Sequence, residues 1–472
     1  MRDLYNQFQK NKINTLSLIL LLSSMLIFLQ ACNTSSGTYE YNAKPWLTPT
    51  GVPMESAEPP SDLSVAAVHQ QTLDTPAIRQ STRRPTEKSG KTVKVALLLP
   101  LSGQHSKLGQ SMLNAAQMAV FDLGHQNFEL MPYDTMGSPA GARNAARHAL
   151  QDGTKLVLGP VFSPPVKAAR QVTQNANINM VAFSTDWSLA NSQTYLIGFL
   201  PFDQIERVMY YAGHTGLNRV CAISPNDAYG NAVVSAYHAI APRAGIQNPC
   251  IERFSSRKNS LSTALRSLSN YNQRQAIKKS KEQALIAQGK TPDQARIAIA
   301  SIEETPEELP FDAILMPVGG PLAREVGSYL SHFDLPPKKV RRIGTGLMDD
   351  EALAQDKSLS GAWFAAPEPQ ARVNFERRYH QFYSKTPPRL ASIAYDATAL
   401  AAILARIGLK ENGHPAYDRT SITNPNGFSG VDGIFRFRPD GIVERGLAIL
   451  EYQDGHINVV DNAPKTFQNL AH

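Results

Sequence analysis

From about residue 93 onward, short apolar runs alternate with stretches in which apolar residues recur every three or four positions. Val93-Lys94-Val95-Ala96-Leu97-Leu98-Leu99 is apolar almost throughout, as in a strand covered on both faces. Pro100-Leu101-Ser102-Gly103 follows, and then Leu108, Met112, Ala116, Ala119 and Val120 fall on one face of a helix. Further strands are predicted at Phe128–Tyr133, Lys155–Pro160 and Asn179–Phe183. A second set is predicted at Asn218–Ser224, Cys250–Phe254, Phe311–Pro317 and Val340–Gly344. After Trp363–Pro367 the pattern turns helical around Phe375–Ser384 and Ser392–Ile407, and it ends in strands at Gly433–Phe437 and Leu447–Tyr452. Strand and helix alternating at this pace predict parallel βαβ units with right-handed crossovers. About 380 residues exceed what one compact core usually holds, so two doubly wound α/β lobes are expected. One segment breaks the pattern: Asn270 to Pro310 is charged, rich in Lys, Gln, Glu and Ala, and starts a helix at Thr291-Pro292-Asp293. It reads as a two-helix insertion, either a solvated appendage or a docking surface for a protein partner.

The N-terminus has a different pattern. Arg2, Lys10 and Lys12 precede an apolar run from about Ile13 to Leu29, the organisation of a signal peptide. Leu29-Gln30-Ala31-Cys32 resembles the lipobox of bacterial lipoproteins, which implies that residues 1–31 are removed and that Cys32 is acylated. More than one acyl chain holds a protein stably at a bilayer. No later stretch reads as long and apolar enough to span one, so the remainder is expected to be tethered to the membrane and soluble. Residues 33–91 are polar and carry Pro45, Pro49, Pro53, Pro59, Pro60, Pro76 and Pro85, the composition of a disordered stalk. A flexible chain of that length reaches roughly 40–45 Å. The net charge of +7 falls to about +5 once the leader is gone, a mild and dispersed excess that does not point to nucleic acid.

With Cys32 committed to lipid, Cys221 and Cys250 remain. They lie near the starts of two strands expected to be neighbours in one sheet, and an exported chain meets an oxidising compartment. A disulfide and a pair of buried thiols are both open on this reading.

Five segments in order resemble leucine/isoleucine/valine-binding-type receptors, that is, type I periplasmic binding proteins: Leu98–Gly103, Gly159–Ser163, Phe183–Asp186, Asn226–Gly230 and Tyr395–Ala397. The lipobox, the stalk, Ala182-Phe183-Ser184-Thr185-Asp186 and the insertion resemble, more narrowly, penicillin-binding-protein activator lipoproteins. The resemblance implies two lobes joined by crossover strands, over residues 92–461. Lobe one would take about 92–213 and 362–430, lobe two about 214–361 and 431–461, the insertion 270–310, and a tail 462–472. A cleft is expected at the carboxyl ends of the strands, with Ser102, Leu108, Ser163, Ser184, Thr185, Asp186 and Tyr229 as candidate lining.

Two departures bear on a ligand. In the receptors, the loop matching Phe162-Ser163-Pro164-Pro165 gives hydroxyl and N–H donors to an amino-acid carboxylate, but Pro164 and Pro165 have no N–H. Where the receptors place a glutamate for the ammonium, this chain reads Gly344-Thr345-Gly346, leaving Asp349, Asp350 or Asp186 as substitutes. Two under-paired charges in a closing cleft cost several kcal/mol. The resemblance therefore implies regulation of a penicillin-binding protein in peptidoglycan synthesis, with delivery of an amino acid to an ABC transporter as the alternative and the small-molecule ligand left open. Asn33 after Cys32 resembles outer-membrane lipoproteins.

Catalytic motifs are not visible. The chain has no His-Glu-x-x-His, no phosphate-binding loop ending in Lys-Ser or Lys-Thr, and no Gly-x-Ser-x-Gly. Ser255-Ser256-Arg257-Lys258 fits a Ser-x-x-Lys, but its Lys88-Ser89-Gly90 companion precedes it, the wrong order for penicillin-recognising enzymes. The eleven histidines are scattered singly. No enzyme, metal site or cofactor is expected.

Overall fold

A computed structural model describes residues 92–247, 249–301 and 309–467. The expected leader, Cys32 and its lipid, the stalk, the end of the insertion and the last five residues of the tail lie outside the described residues.

The first sheet contains β1 (Val93–Leu99), β2 (Phe128–Asp134), β3 (Leu156–Leu158), β4 (Met180–Ala182) and β5 (Thr194–Leu196), in the order β2-β1-β3-β4-β5 with every pairing parallel. The switch at β1 is the doubly wound arrangement that opens a crevice at the strands' carboxyl ends. Helices α1 (Ser106–Leu123), α2 (Pro139–Gln151) and α3 (Ser163–Asn175) connect these strands. In α2 the start is set by Ser138, whose Oγ accepts the Gly141 N–H, and by Pro139 in the first turn. Ala142, Ala145, Ala146 and Ala149 then form one buried stripe against the sheet, where small side chains bring helix and strands close.

Helix α4 (Pro201–His214) carries the chain to a seven-stranded sheet in the order β15-β14-β10-β9-β8-β6-β7. Its strands are β6 (Val220–Pro225), β7 (Cys250–Phe254), β8 (Ala313–Leu315), β9 (Arg341–Gly344), β10 (Trp363–Ala366), β14 (Ala448–Gln453) and β15 (His456–Asp461). Helices α5 (Ala228–Ile240), α6 (Ser260–Leu268) and α9 (Gly320–His332) cover it, around a core of Ile223, Leu265, Ile314, Val326, Leu330, Phe333 and Phe364. The insertion begins as α7 (Tyr271–Ala287) and α8 (Pro292–Ser301). It is bolted to this lobe by the buried Arg274, whose guanidinium donates to the carbonyls of Phe333 (2.9 Å) and Asp334 (3.1 Å), and by Lys278 on the Asp334 carboxylate.

The sheet pairings divide the chain differently from the expected boundaries. Trp363–Ala366 pairs between β9 and β14, so it belongs to lobe two and not to a first-lobe segment starting at 362. Helix α4 packs on α5 and β10, with the Tyr211 and Trp363 rings 4.9 Å apart, so lobe two begins near residue 201. β11 (Phe428–Gly430), β12 (Gly433–Phe437) and β13 (Val443–Arg445) form a separate three-stranded sheet beside β5, where Leu196 bridges to Ile442. Apolar periodicity identifies a strand but not the sheet that accepts it, which is why these assignments moved.

After the short α10 (Glu351–Ala354) in lobe two, helices α11 (Pro369–Tyr383) and α12 (Ala391–Asn412) return to lobe one, where Phe375 and Tyr379 pack on Ala115 and Met118 of α1. Contrary to expectation, α12 is long and apolar enough to cross a bilayer, but 72% of its apolar window is buried inside the fold. The chain passes between the lobes three times, at Ile197–Leu200, Pro367–Glu368 and Gly446–Leu447. Cys221 and Cys250, register partners in β6 and β7, are joined by a disulfide with Cα atoms 4.6 Å apart.

Candidate functional site

The three crossings converge on a cavity of about 330 Å³ between the lobes. Phe199 and Leu200 line it from the first crossing, Ala365, Ala366 and Pro367 from the second, and Arg445 and Leu447 from the third. Thr185, Arg389 and Leu390 face it from lobe one; Asp203, Gln204, Tyr229, Gly346, Leu347 and Asp349 face it from lobe two.

Of the seven candidate lining residues, Thr185 and Tyr229 reach this cavity. Tyr229 sits in the first turn of α5, which starts where Asp227 Oδ1 accepts the Gly230 N–H. Gly230 permits the fit, since a Cβ there would lie 1.9 Å from the Pro225 carbonyl oxygen. The Tyr229 hydroxyl is 2.9 Å from Thr345 Oγ1, and burial pushes its pKa up to about 12. Ser163 and Ser184 lie outside the lining and are hydrogen-bonded to one another at 3.2 Å; Ser184 Oγ also accepts the Asp186 N–H. Asp186 caps the turn Trp187–Leu189 by accepting the N–H and Oγ–H of Ser188. Ser102 donates its N–H to Asp134 on the exposed loop after β1, and Leu108 is half-buried on α1. Turn and cap chemistry accounts for the four polar residues and helix packing for Leu108, and the cavity lies deeper, against the crossings.

The charged lining had a weaker sequence signal. Asp349 stood out as a possible substitute acid; Arg389, Arg445 and Asp203 did not. Arg389 projects from the turn ahead of α12. Its Nη1 donates to Asp432 Oδ1 at 2.7 Å, its guanidinium lies 4.3 Å from the Phe199 ring centroid, and its Nε is 3.7 Å from Asp349. Asp349 is also paired with Arg372 of α11. Arg445 is buried between the faces of Phe199 and Phe435, at 4.9 and 5.5 Å, and donates to the Ile197 carbonyl. The ring quadrupoles supply attraction where Nε and Nη1 have no conventional acceptor among the described residues. Asp203 accepts the Arg445 N–H at 2.9 Å, and burial, followed by the Glu444 and Glu206 carboxylates, raises its pKa well above the usual range. Gln204 fixes the facing loop, with Oε1 accepting the Gly346 N–H at 2.7 Å and Nε2 donating to Leu200 O.

Beneath the cavity, Asp396 of α12 accepts the Val431 N–H at 2.7 Å, and its other oxygen is buried without a partner among the described residues. Burial, then the nearby Asp432 carboxylate, pushes its pKa up to about 7. An acid whose folded-state pKa is raised contributes stability that is fully present below its unfolded value near 4 and is lost as pH rises to about 7. Asp203 acts in the same direction. The melting temperature is therefore expected to fall between pH 5 and pH 8, and Asp396→Asn, which keeps the bond to Val431, to flatten that fall in a series of thermal melts. An unchanged slope would show that other groups set it.

Among the described residues, no group of three or more His, Cys, Asp or Glu side chains is placed to hold a metal.

Residues 92–456 match the periplasmic binding protein family. The chain belongs to that family. Membership implies a periplasmic or extracellular location, and family members are binding proteins that carry out no catalysis. An uncharacterized protein of Rickettsia prowazekii (strain Madrid E) is 22% identical over 186 residues, 39% of this chain and 49% of the relative; the chain thus spans about half the length of that curated relative. Among solved structures, the periplasmic ligand-binding protein of a branched-chain amino acid ABC transporter from Burkholderia xenovorans LB400 superposes with a TM-score of 0.57 at 17% identity, covering 79% of this chain and 96% of that one. An ABC transporter substrate-binding protein from Desulfitobacterium hafniense, in complex with Leu, gives 0.55 at 17% identity over 78% and 100%. One from Sphaerobacter thermophilus gives 0.57 at 17% identity over 79% and 98%. At these identities the likeness is one of fold: a type I periplasmic binding protein.

Proposed function

We propose that this periplasmic binding protein is an envelope lipoprotein, anchored through Cys32 on the periplasmic side of the outer membrane, that regulates peptidoglycan synthesis by binding a penicillin-binding protein. The observation that carries the reading is how the cleft uses its charges. Asp349, the one candidate substitute acid that lines the cavity, is paired with Arg372 and Arg389. Ser163, at the start of α3, bonds Ser184, and the next two residues are prolines without an N–H. An α-amino acid entering here would have to compete with Arg372 and Arg389 for Asp349 and would find no N–H donor on Pro164 or Pro165, and a charge left under-paired in a desolvated space is unfavourable by several kcal/mol. A protein partner needs no such pocket. The insertion Asn270–Pro310 offers one contact surface, with Ile277 and Ile286 exposed on α7, which Arg274 ties to the lobe, and Ile297 exposed on α8.

The second reading is a receptor delivering a branched-chain or other amino acid to an ABC transporter, and the apolar lining from Phe199, Leu200, Leu347 and Leu447 favours it. Thermal shift in the presence of each amino acid separates the two. A ligand at a hundred times its dissociation constant stabilises the fold by about 2.7 kcal/mol, and the regulator is expected to respond to none. In parallel, crosslinking in envelopes is expected to recover a penicillin-binding protein. A clear shift with an amino acid, together with recovery of permeases and no cell-wall synthase, would overturn the proposal.

A further inference from the structure

In a two-lobed binding protein the crevice surfaces are polar and hydrated when apart, so something must bridge them to favour closure. Here that bridge is already present in the chain. Asp349 follows β9 in lobe two, while Arg372 on α11 and Arg389 ahead of α12 belong to lobe one. The Asp349 side chain is 4% exposed and pairs with the Arg372 guanidinium, with Arg389 Nε at 3.7 Å. Arg389 is fixed before it meets Asp349: Asp432, fully buried, accepts from its Nη1, Ser392 Oγ donates to the other Asp432 oxygen at 2.7 Å, and the Phe199 ring covers its guanidinium. Arg372 is steadied by Glu376 one turn on, at 3.6 Å. Pre-positioned partners lose little side-chain freedom on pairing, the condition under which a charged contact adds net attraction.

We infer that Asp349, Arg372 and Arg389 form an intramolecular latch that holds the two lobes closed without a bound solute. The latch places the chain's own guanidinium groups against the lobe-two acid, and so replaces a cationic ligand group as the bridge. It spans a separation that only rotation about the three crossings would change, since each partner is anchored in its own lobe. The inference concerns lobe closure alone and stands or falls independently of the partner proposed above.

The test is a distance measurement across the crevice in the full chain. Nitroxide labels on cysteines introduced at Ser102 and Asn226, exposed residues after β1 and β6, report closure by pulsed dipolar spectroscopy. The parent chain is expected to give one short distance, unchanged by amino acids. Asp349→Asn, and independently Arg372→Gln, are expected to raise the ratio of long to short distances about tenfold, the change brought by loss of one modest interaction. Arg372→Lys is expected to restore part of the short population. Circular dichroism melts of each variant separate lobe opening from unfolding. The latch is overturned if both neutralising variants keep the parent distribution, or if the parent is open and closes only when an amino acid is added.

Discussion

Replacing Arg342 with methionine is expected to destabilise the second lobe by about 3–5 kcal/mol, because buried carbonyls lose their donors. Arg342 lies on β9 with no exposed surface, and among the described residues no carboxylate is paired with it. Its Nε donates to Ser358 O (3.1 Å), Nη1 to Val340 O (2.5 Å) and Nη2 to Leu335 O (2.7 Å). Burial alone lowers its pKa to about 9, so the guanidinium stays charged at neutral pH, stabilised by three carbonyl dipoles. These acceptors belong to the turn before β9 and the turn Lys357–Leu359, so one side chain ties together the loops at one end of the sheet. Methionine fills the volume and satisfies none of them. Lysine, with one compact ammonium in place of a fork, is expected to recover less than half of the loss. Denaturant unfolding of both variants measures this; a change below about 1 kcal/mol would mean that the carbonyls find other partners.

The double replacement Cys221→Ala and Cys250→Ala is expected to cost about 3–4 kcal/mol, the chain entropy recovered by an unfolded state released from a loop of this size. The two cysteines are 29 residues apart in sequence and in register on adjacent strands. For a lobe of this size each kcal/mol corresponds to roughly 2–4 °C, so calorimetry should register a fall of about 6–15 °C. Cys221 is buried in the lobe-two core, so part of the loss is packing; the single variant Cys221→Ala compared with Cys250→Ala resolves that share. Non-reduced peptides from envelope-derived protein are expected to contain Cys221 linked to Cys250. Both free would remove the prediction.

What could be read from the sequence follows the range over which each interaction acts. The apolar run Val93–Leu99 becomes β1 because a strand covered on both faces needs continuous hydrophobicity, a property of neighbouring residues. Trp363–Ala366 carries the same signal, yet it joins the sheet of lobe two and not the expected one, since pairing with Ile343 and Leu450 is decided by residues far along the chain. The cavity illustrates the point more sharply. Asp349 was noticed as an acid near a strand end, but Arg372 and Arg389 gain their meaning only when α11 and α12 fold back over the crevice. Likewise Asp203 reads as an ordinary acid in a helix's first turn, and only burial under Arg445 makes it unusual.

Pro164 and Pro165 open α3 in positions whose N–H groups have no helical partner in any sequence. Prolines there cost the helix no hydrogen bond, while the same two residues offer the crevice none of the N–H donors that an anion would need. Folding and recognition are uncoupled at this corner. A lineage can abandon a solute there by steps that selection for stability does not oppose, and regaining it would require reversing both prolines together with a release of Asp349. A scaffold of this kind can persist while a solute site is lost, and its surfaces are then free to be selected for a different task.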